Sequence, residues 1–258
     1  DMNRFCSASS YTDYNADYIA AKMCGIYLPK IFEIYFEERS GNSDLKFPKP
    51  NLKNKISIYK QKFSSINFIQ EYLKNKYGIK ASFNNIRYAE ECAAAAENLI
   101  KAAGRDDVFQ GLEIITDAEK FDDNTKSAMT CCSNDGNAVI YINPAYNWKN
   151  ADRLEQRQFD AGFQASNSLK NNLFIHEMSH WLDFKGNSDN YCKSENYFST
   201  PDQLRGAGRV SAYASENPRE FCAEYISGRL AGCKYPELTD KLFAANWNGP
   251  ELHFFENS

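Results

Sequence analysis

Two of the three histidines in the chain stand four residues apart, in the segment His176-Glu177-Met178-Ser179-His180. Residues four apart lie on the same face of an α-helix, so both imidazoles can reach a single metal ion. Glu177 projects about 100° further around such a helix, toward a water molecule beside the ion. The spacing therefore predicts a metal centre with a carboxylate placed to accept a proton.

The pattern His-Glu-x-x-His on a helix is typical of zinc peptidases, in which the glutamate is the general base. Apolar residues surround the pattern and predict a helix over residues 168–184, with Ser168 as the N-cap and Gly186 after its end. The alternative is a buried helix with two incidental histidines. A chain with only three histidines makes that coincidence rare, so we predict one catalytic zinc ion.

A catalytic zinc ion usually has three protein ligands and an open position for water, so a third ligand is expected downstream. The metzincin pattern would need glycine and histidine three and six residues after His180, where the chain has Asp183 and Gly186. His253 is the remaining histidine, and it stands outside any recognisable motif. We expect it to be incidental.

The better source of a third ligand is residues 210–228, where Asn217 and Pro218 are typical of a helix start. Glu220 and Glu224 lie four apart on one face of that helix. One can bind zinc, and the other can accept the second N–H of a ligating histidine. Helix geometry alone does not say which does which. The alternative is a solvated surface pair in which Glu220 completes a capping box with Asn217.

These residues resemble the gluzincin peptidases of the anthrax-lethal-factor-like family, which includes the secreted Pro-Pro endopeptidases. The likeness rests on the segment HEMSHWLD and on Tyr213, Glu220 and Glu224 with their spacing, and it covers roughly residues 108–232. It implies that His176, His180 and Glu220 bind zinc, which leaves Glu224 as the partner of a histidine. It also implies that Glu177 is the general base and that Tyr213 faces the developing oxyanion.

The implied mechanism is hydrolysis of a peptide bond by a metal-activated water. Zinc polarises the scissile carbonyl, Glu177 moves the proton from water to the leaving amine, and Tyr213 hydrogen-bonds the oxyanion. Tyr213 could instead be one of many packing tyrosines. Asp183 shares the face of the two histidines and is expected to orient an imidazole, although it could also be a simple helix-end residue.

The order of elements predicts an α+β fold: a zincin-like catalytic domain at residues 106–258, preceded by a mostly helical region at residues 1–105. The domain would hold a small mixed sheet, the active-site helix and the glutamate helix. Strands are predicted at residues 111–116 and 138–142, and helices at residues 151–159 and 218–230.

A protein or peptide substrate is the expected partner, bound extended along the sheet edge. We place that edge at residues 141–145 and therefore expect Tyr141 and Asn143 to contact substrate. The net charge of −4 argues against nucleic acid as a partner bound by bulk charge. The most apolar long stretch, residues 18–36, is too often interrupted to predict a membrane span.

Eight cysteines and the absence of an Asn-x-Ser/Thr sequon favour an exported bacterial protein with disulfides. The resemblance to the anthrax-lethal-factor-like family implies a toxin-like or virulence-related role. A start at Asp1 is consistent with removal of a leader. The rival function is a non-catalytic protein-binding module whose zinc site is degenerate or purely structural. An intact Glu177 and Tyr213 favour the enzyme, because a structural site needs neither a base nor an open position.

Overall fold

The structure is a computed structural model that describes residues 65–132, 137–166, 172–187 and 198–254. These residues form seven helices and a four-stranded mixed sheet, which confirms an α+β fold. The helices are α1 (Ile66–Tyr77), α2 (Ile86–Ala103), α3 (Ala151–Asp160), α4 (Asn172–Gly186), α5 (Pro201–Gly208), α6 (Pro218–Leu230) and α7 (Glu237–Asn246). Short 3₁₀ turns lie at Ala118–Lys120, Trp148–Asn150 and Tyr213–Ser215.

The sheet contains β1 (Lys80–Ser82), β2 (Glu113–Thr116), β3 (Ala128–Cys132) and β4 (Ala138–Ile142), in the spatial order β1-β2-β4-β3. The first three strands in that order are parallel, and β3 runs antiparallel to β4. Strand β4 is therefore an inner strand, while β3 is an edge.

Helix α4 carries the His-Glu-x-x-His segment and lies at the centre of the molecule. It packs on β3 and β4 on one side and against α2 and α6 on others. Its apolar side chains Phe174, Met178 and Trp181 are almost fully buried. A helix buried on nearly all sides holds its polar groups in a fixed position, because the surrounding core leaves them little room to move.

Helix α6 has the bounds that the sequence predicts. The Asn217 side chain accepts hydrogen bonds from the amides of Arg219 and Glu220, and Pro218 is the first helical residue. Glu220 therefore stands in the first turn, where the positive end of the helix dipole favours its carboxylate. Neither glutamate belongs to a solvated surface pair: the Glu220 side chain is 18% exposed and that of Glu224 1%.

The boundary expected at residue 105 does not separate two cores in the part of the chain that is described. Strand β1 pairs with β2 across that position, and α2 packs directly on α4. Ile69 and Leu99, from before the boundary, share one apolar core with Ile140 and Phe174. Residues 65–105 therefore form part of the same folded unit as the site, and residues 1–64 lie outside the described residues.

Four elements were not predicted: the strands β1 and β3 and the helices α5 and α7. Each is at most ten residues long, so each offers little sequence for a pattern to show. The predicted N-cap Ser168 lies outside the described residues.

No disulfide joins any two of the five described cysteines, and Cys92, Cys131, Cys222 and Cys233 are free thiols. Among the described helices, none has the length and apolar character to span a bilayer.

Candidate metal centre and catalytic cleft

The side chains of His176, His180 and Glu220 meet at one point between α4 and α6. Nε2 of His176 lies 2.9 Å from Oε2 of Glu220 and 3.0 Å from Nε2 of His180. The three atoms form a triangle, whose third edge, between His180 Nε2 and Glu220 Oε2, is 3.3 Å. Each residue thus offers one ligand atom to a common centre.

The triangle has the size that a zinc ion requires. Bonds of about 2.0–2.1 Å in tetrahedral geometry separate neighbouring ligand atoms by about 3.3 Å. The observed edges of 2.9–3.3 Å match that separation to within a few tenths of an ångström. Two imidazoles and one carboxylate are also a donor set that zinc favours, so the residues present fit the metal.

The orientation of His176 is held from behind by Glu224. Nδ1 of His176 lies 3.0 Å from Oε1 of Glu224, a carboxylate that is almost fully buried. An ionised carboxylate can only accept hydrogen bonds, so Nδ1 carries the proton and donates. In a neutral ring this leaves the lone pair on Nε2, directed at Glu220 and His180, which is the tautomer a metal ligand needs.

Glu224 also joins three segments around the site. Its Oε2 accepts hydrogen bonds from the amide of Ala165 at 2.6 Å and from the hydroxyl of Ser211 at 2.9 Å. Ser211 in turn accepts a hydrogen bond from the amide of Ala214. One buried carboxylate therefore connects α6, α4, the segment after α3 and the turn that carries Tyr213.

The charges of the centre are strongly coupled. Burial raises the pKa of the Glu220 carboxyl, but the neighbouring His180 and hydrogen bonds from His176 outweigh it and hold that pKa far below its usual range. Burial lowers the pKa of His176, while its bonds to Glu220 and Glu224 raise it to a net value well above the ordinary one. In the absence of metal, the two glutamates thus favour a proton where a cation would bind.

Tyr213 lies between two aromatic rings beside the centre. Its ring stacks on His176, with centroids 5.5 Å apart and an angle of 14°, and on Phe163 at 5.2 Å and 21°. The Tyr213 amide donates to the Phe163 carbonyl, which holds the backbone in place. Burial and the negative charge of Glu220 raise the pKa of Tyr213, so its hydroxyl stays protonated and can donate.

The ligand triangle opens into a cleft of about 680 Å³. Strand β3 forms one wall of it, and Glu177, which is only 7% exposed, is part of its lining. Tyr213 lines the cleft as well. The structure thus brings together the predicted ligands, the predicted base and the predicted oxyanion donor around one cavity.

Asp183 does not orient an imidazole through any hydrogen bond seen within the described residues. Its Oδ1 accepts from the main-chain amide of Asn248 at 2.9 Å and from the Asn248 side-chain amide at 3.0 Å. Gly186 allows this approach, because a Cβ there would collide with the Asn248 carbonyl. Asp183 therefore fastens the C-terminal segment to the end of α4. Burial raises the pKa of its carboxyl while the nearby charge of His180 lowers it, and the expected role beside an imidazole stays a prediction.

The sheet edge that we expected at residues 141–145 is corrected, because β4 is an inner strand, and neither Tyr141 nor Asn143 lines the cleft. Their contacts with substrate stay a prediction. The Tyr141 ring lies 5.2 Å from the Lys120 ammonium. Asn143 is buried and donates to the carbonyls of Asp123 and Lys126, which shapes the loop next to the cleft. The edge strand at the site is β3.

Two residues of the site, Thr130 on β3 and Ser211, were not predicted from the sequence. Thr130 lines the cleft and donates a hydrogen bond to the side chain of Glu177. The Asp-Gly pair at residues 135 and 136 was a signal that another strand precedes β4, and it could have led to β3. Ser211 carries no sequence signal, and only its contact with Glu224 shows its role.

His253 lies apart from the centre, with its side chain 67% exposed.

Compared with known protein families, curated proteins and solved structures, the chain shows no match.

Proposed function

We propose that the protein is a zinc-dependent endopeptidase that hydrolyses peptide bonds with an activated water molecule. The observation that carries the proposal is the convergence of His176 Nε2, His180 Nε2 and Glu220 Oε2 within 3.3 Å of one another at a cleft lined by Glu177. A purely structural zinc site would need neither an open cleft nor a carboxylate held beside the ligands.

The residues have distinct roles in this function. Zinc held by the triangle would supply the Lewis acidity that acidifies water and polarises a carbonyl. Glu177 accepts the proton of the attacking water and passes it to the leaving amine. Tyr213 donates its hydroxyl proton to the oxyanion that forms on the substrate carbonyl. Glu224 keeps His176 in the tautomer that binds metal.

The same residues support the finer fold assignment. We propose a zincin-like domain of the gluzincin type, because an edge strand, the helix of the metal-binding histidines and a helix with the third ligand surround one cleft. The resemblance to the anthrax-lethal-factor-like family and to the Pro-Pro endopeptidases stays a proposal that rests on the motif residues. A toxin-like or virulence-related role stays a prediction from that resemblance.

A protein or peptide substrate is the partner that suits this cleft. An extended peptide can pair with β3, the edge strand of the sheet that the described residues form, which replaces the edge that we expected at residues 141–145. Export from the cell also remains a prediction, based on the eight cysteines of the sequence. It can be checked by locating the native protein in the culture medium or in cell lysates.

The decisive experiment combines metal analysis with a cleavage assay. The wild type and the Glu177→Ala variant are purified, their zinc content is measured, and both are incubated with a peptide library. We expect about one zinc per chain in both proteins and hydrolysis by the wild type alone, because Glu177 is not a ligand. Glu119→Ala, which removes an exposed glutamate that does not line the cleft, is the matched control and should cleave normally.

Two outcomes would contradict the proposed peptidase function. A wild type that binds no zinc, or equal hydrolysis by the wild type and Glu177→Ala, excludes the proposed mechanism. Zinc binding without hydrolysis of any library member, together with partner binding that survives chelation, would favour the non-catalytic binding module.

A further inference from the structure

We propose that Thr130 is a positioning residue for the general base: its hydroxyl holds one oxygen of the Glu177 carboxylate so that the other faces the attacking water. This inference rests on the proposed peptidase function. It assigns a role to a residue outside the metal-binding motif, on a different element of the fold.

The contact joins the edge strand to the active-site helix. Oγ1 of Thr130 lies 2.7 Å from Oε2 of Glu177 and 2.9 Å from the main-chain carbonyl oxygen of the same residue. Both distances are those of good hydrogen bonds, and both partners are acceptors. The Thr130 hydroxyl thus lies within hydrogen-bond distance of both the backbone and the side chain of Glu177.

A fixed carboxylate matters because a glutamate side chain has three rotatable bonds. Without a partner, the charged group would sample several rotamers, and only some of them would face the water. A hydrogen bond to a charged group is short and stronger than one between neutral groups, so it selects one rotamer. The hydrogen bond from Thr130 occupies Oε2 of Glu177 and leaves Oε1 to accept the proton of the attacking water.

The fold leaves Thr130 little freedom to adopt another arrangement. It stands opposite Ile140 in the antiparallel pair of β3 and β4, and neighbouring residues of a strand point to opposite faces. The side chain of Thr130 therefore stays on the face of the sheet that α4 covers. β-Branching restricts its χ1 angle as well, which limits the positions of the hydroxyl.

The two acceptors also suit a base that changes charge during turnover. The hydroxyl has a single proton, which it donates to Oε2 when Glu177 is ionised. When Glu177 carries the proton taken from water, the hydroxyl can turn to the main-chain carbonyl and remain satisfied. The same residue can therefore stay bonded in both states of the base.

The test measures kcat, KM, zinc content and thermal stability for Thr130→Val, Thr130→Ser and the wild type. Valine keeps the shape of threonine but lacks the hydroxyl, and we expect kcat to fall about 10- to 100-fold. Serine retains the hydroxyl and should restore kcat to within about 3-fold of the wild type. KM and zinc content should change less than about 2-fold in both variants, because neither substrate contacts nor ligands are removed.

Thr116→Val is the matched control. Thr116 lies on β2 of the same sheet and donates its hydroxyl to the Ser82 carbonyl, so this variant loses a threonine hydrogen bond at a residue that does not line the cleft. We expect kcat to be unchanged in it. Should Thr130→Val fail to fold, Thr130→Ala provides the same comparison, with the serine variant as the rescue.

The outcomes separate this inference from the proposed function. If the wild type hydrolyses peptides in a Glu177-dependent way but Thr130→Val retains full kcat, the inference is overturned and the function stands. If Thr130→Ser is as impaired as Thr130→Val, the hydroxyl is not responsible and the inference is again overturned. If the wild type is inactive, the function fails and the inference fails with it.

Discussion

Glu224 contacts His176 on the side of the ring that faces away from the cleft, with 3.0 Å between Oε1 and Nδ1. The opposite nitrogen of the same ring lies 2.9 Å from Glu220. His176 is thus held between two carboxylates of one helix. Glu220 meets it at the candidate metal centre, and Glu224 sets its tautomer. This arrangement distinguishes two glutamates that stand on the same face of α6.

The two glutamates should therefore differ in their effects on zinc binding. Glu224→Gln removes a buried charge behind the ligand and should weaken zinc affinity about 10-fold, in the lower part of the range typical of outer partners of metal ligands. Glu220→Gln removes a ligand and should weaken it by at least about 100-fold. Titration against a competing chelator measures both. Glu237→Gln, on the exposed face of α7, is the control, and a larger loss in Glu224→Gln than in Glu220→Gln would reverse the two roles.

Removal of the Tyr213 hydroxyl should affect the chemical step and little else. Tyr213→Phe keeps the stack on Phe163 and His176, so zinc content and KM should remain within about 2-fold of the wild type. The loss of one oxyanion donor should lower kcat about 100- to 1,000-fold. Steady-state kinetics measures the effects on kcat and on KM separately. Tyr225→Phe, which loses a 2.7 Å bond to Asp240, should reduce stability but retain kcat. Equal kcat values for Tyr213→Phe and the wild type would contradict the role of the hydroxyl.

Glu155 should make the protein less stable as the pH rises. Burial and the nearby charges of Glu91 and Asp152 raise the pKa of Glu155 from 4.5 to about 8, against the opposing effect of Arg87. The folded protein then holds this proton more tightly than the unfolded chain, so stability present below pH 4.5 is lost as the pH rises toward about 8.

Glu155→Gln is neutral at every pH and should have a flatter dependence of Tm on pH over that interval. Thermal unfolding of both proteins between pH 5 and about 8 tests this. Glu119→Gln, an exposed change, should follow the wild type. Parallel curves for Glu155→Gln and the wild type would show that Glu155 does not titrate in this way.

Asp183 should matter for stability rather than for metal binding. Asp183→Ala removes the acceptor of both Asn248 hydrogen bonds and should lower the free energy of unfolding by about 1–3 kcal/mol. In a chain of this size, each kcal/mol lowers Tm by about 2–4 °C. Asn248→Ala keeps the main-chain bond and should cost less. Burial raises the pKa of Asp183, against the bonds from Asn248, so the measurement is made at neutral pH or above. A loss of zinc in Asp183→Ala with unchanged Tm would instead support the role in orienting an imidazole.

The sequence by itself determined the features that depend on neighbours along the chain. Helix α6 has its predicted bounds because an asparagine cap and a first-turn proline act within four residues. The pairing of His176 with His180 follows from the helical repeat alone. For the same reason the motif identified Glu177 and both histidines of the candidate metal centre before the arrangement of the helices was known.

The tertiary structure alone decided the features that depend on contacts between distant segments. The roles of Glu220 and Glu224 depend on how α6 crosses α4, and Asp183 meets Asn248, which stands 65 residues further along the chain. The edge strand of the cleft is β3 because β4 is covered on both sides by neighbouring strands. Thr130 reaches Glu177 across 47 residues. No local pattern encodes such pairs, because they are selected by the packing of one core around α4.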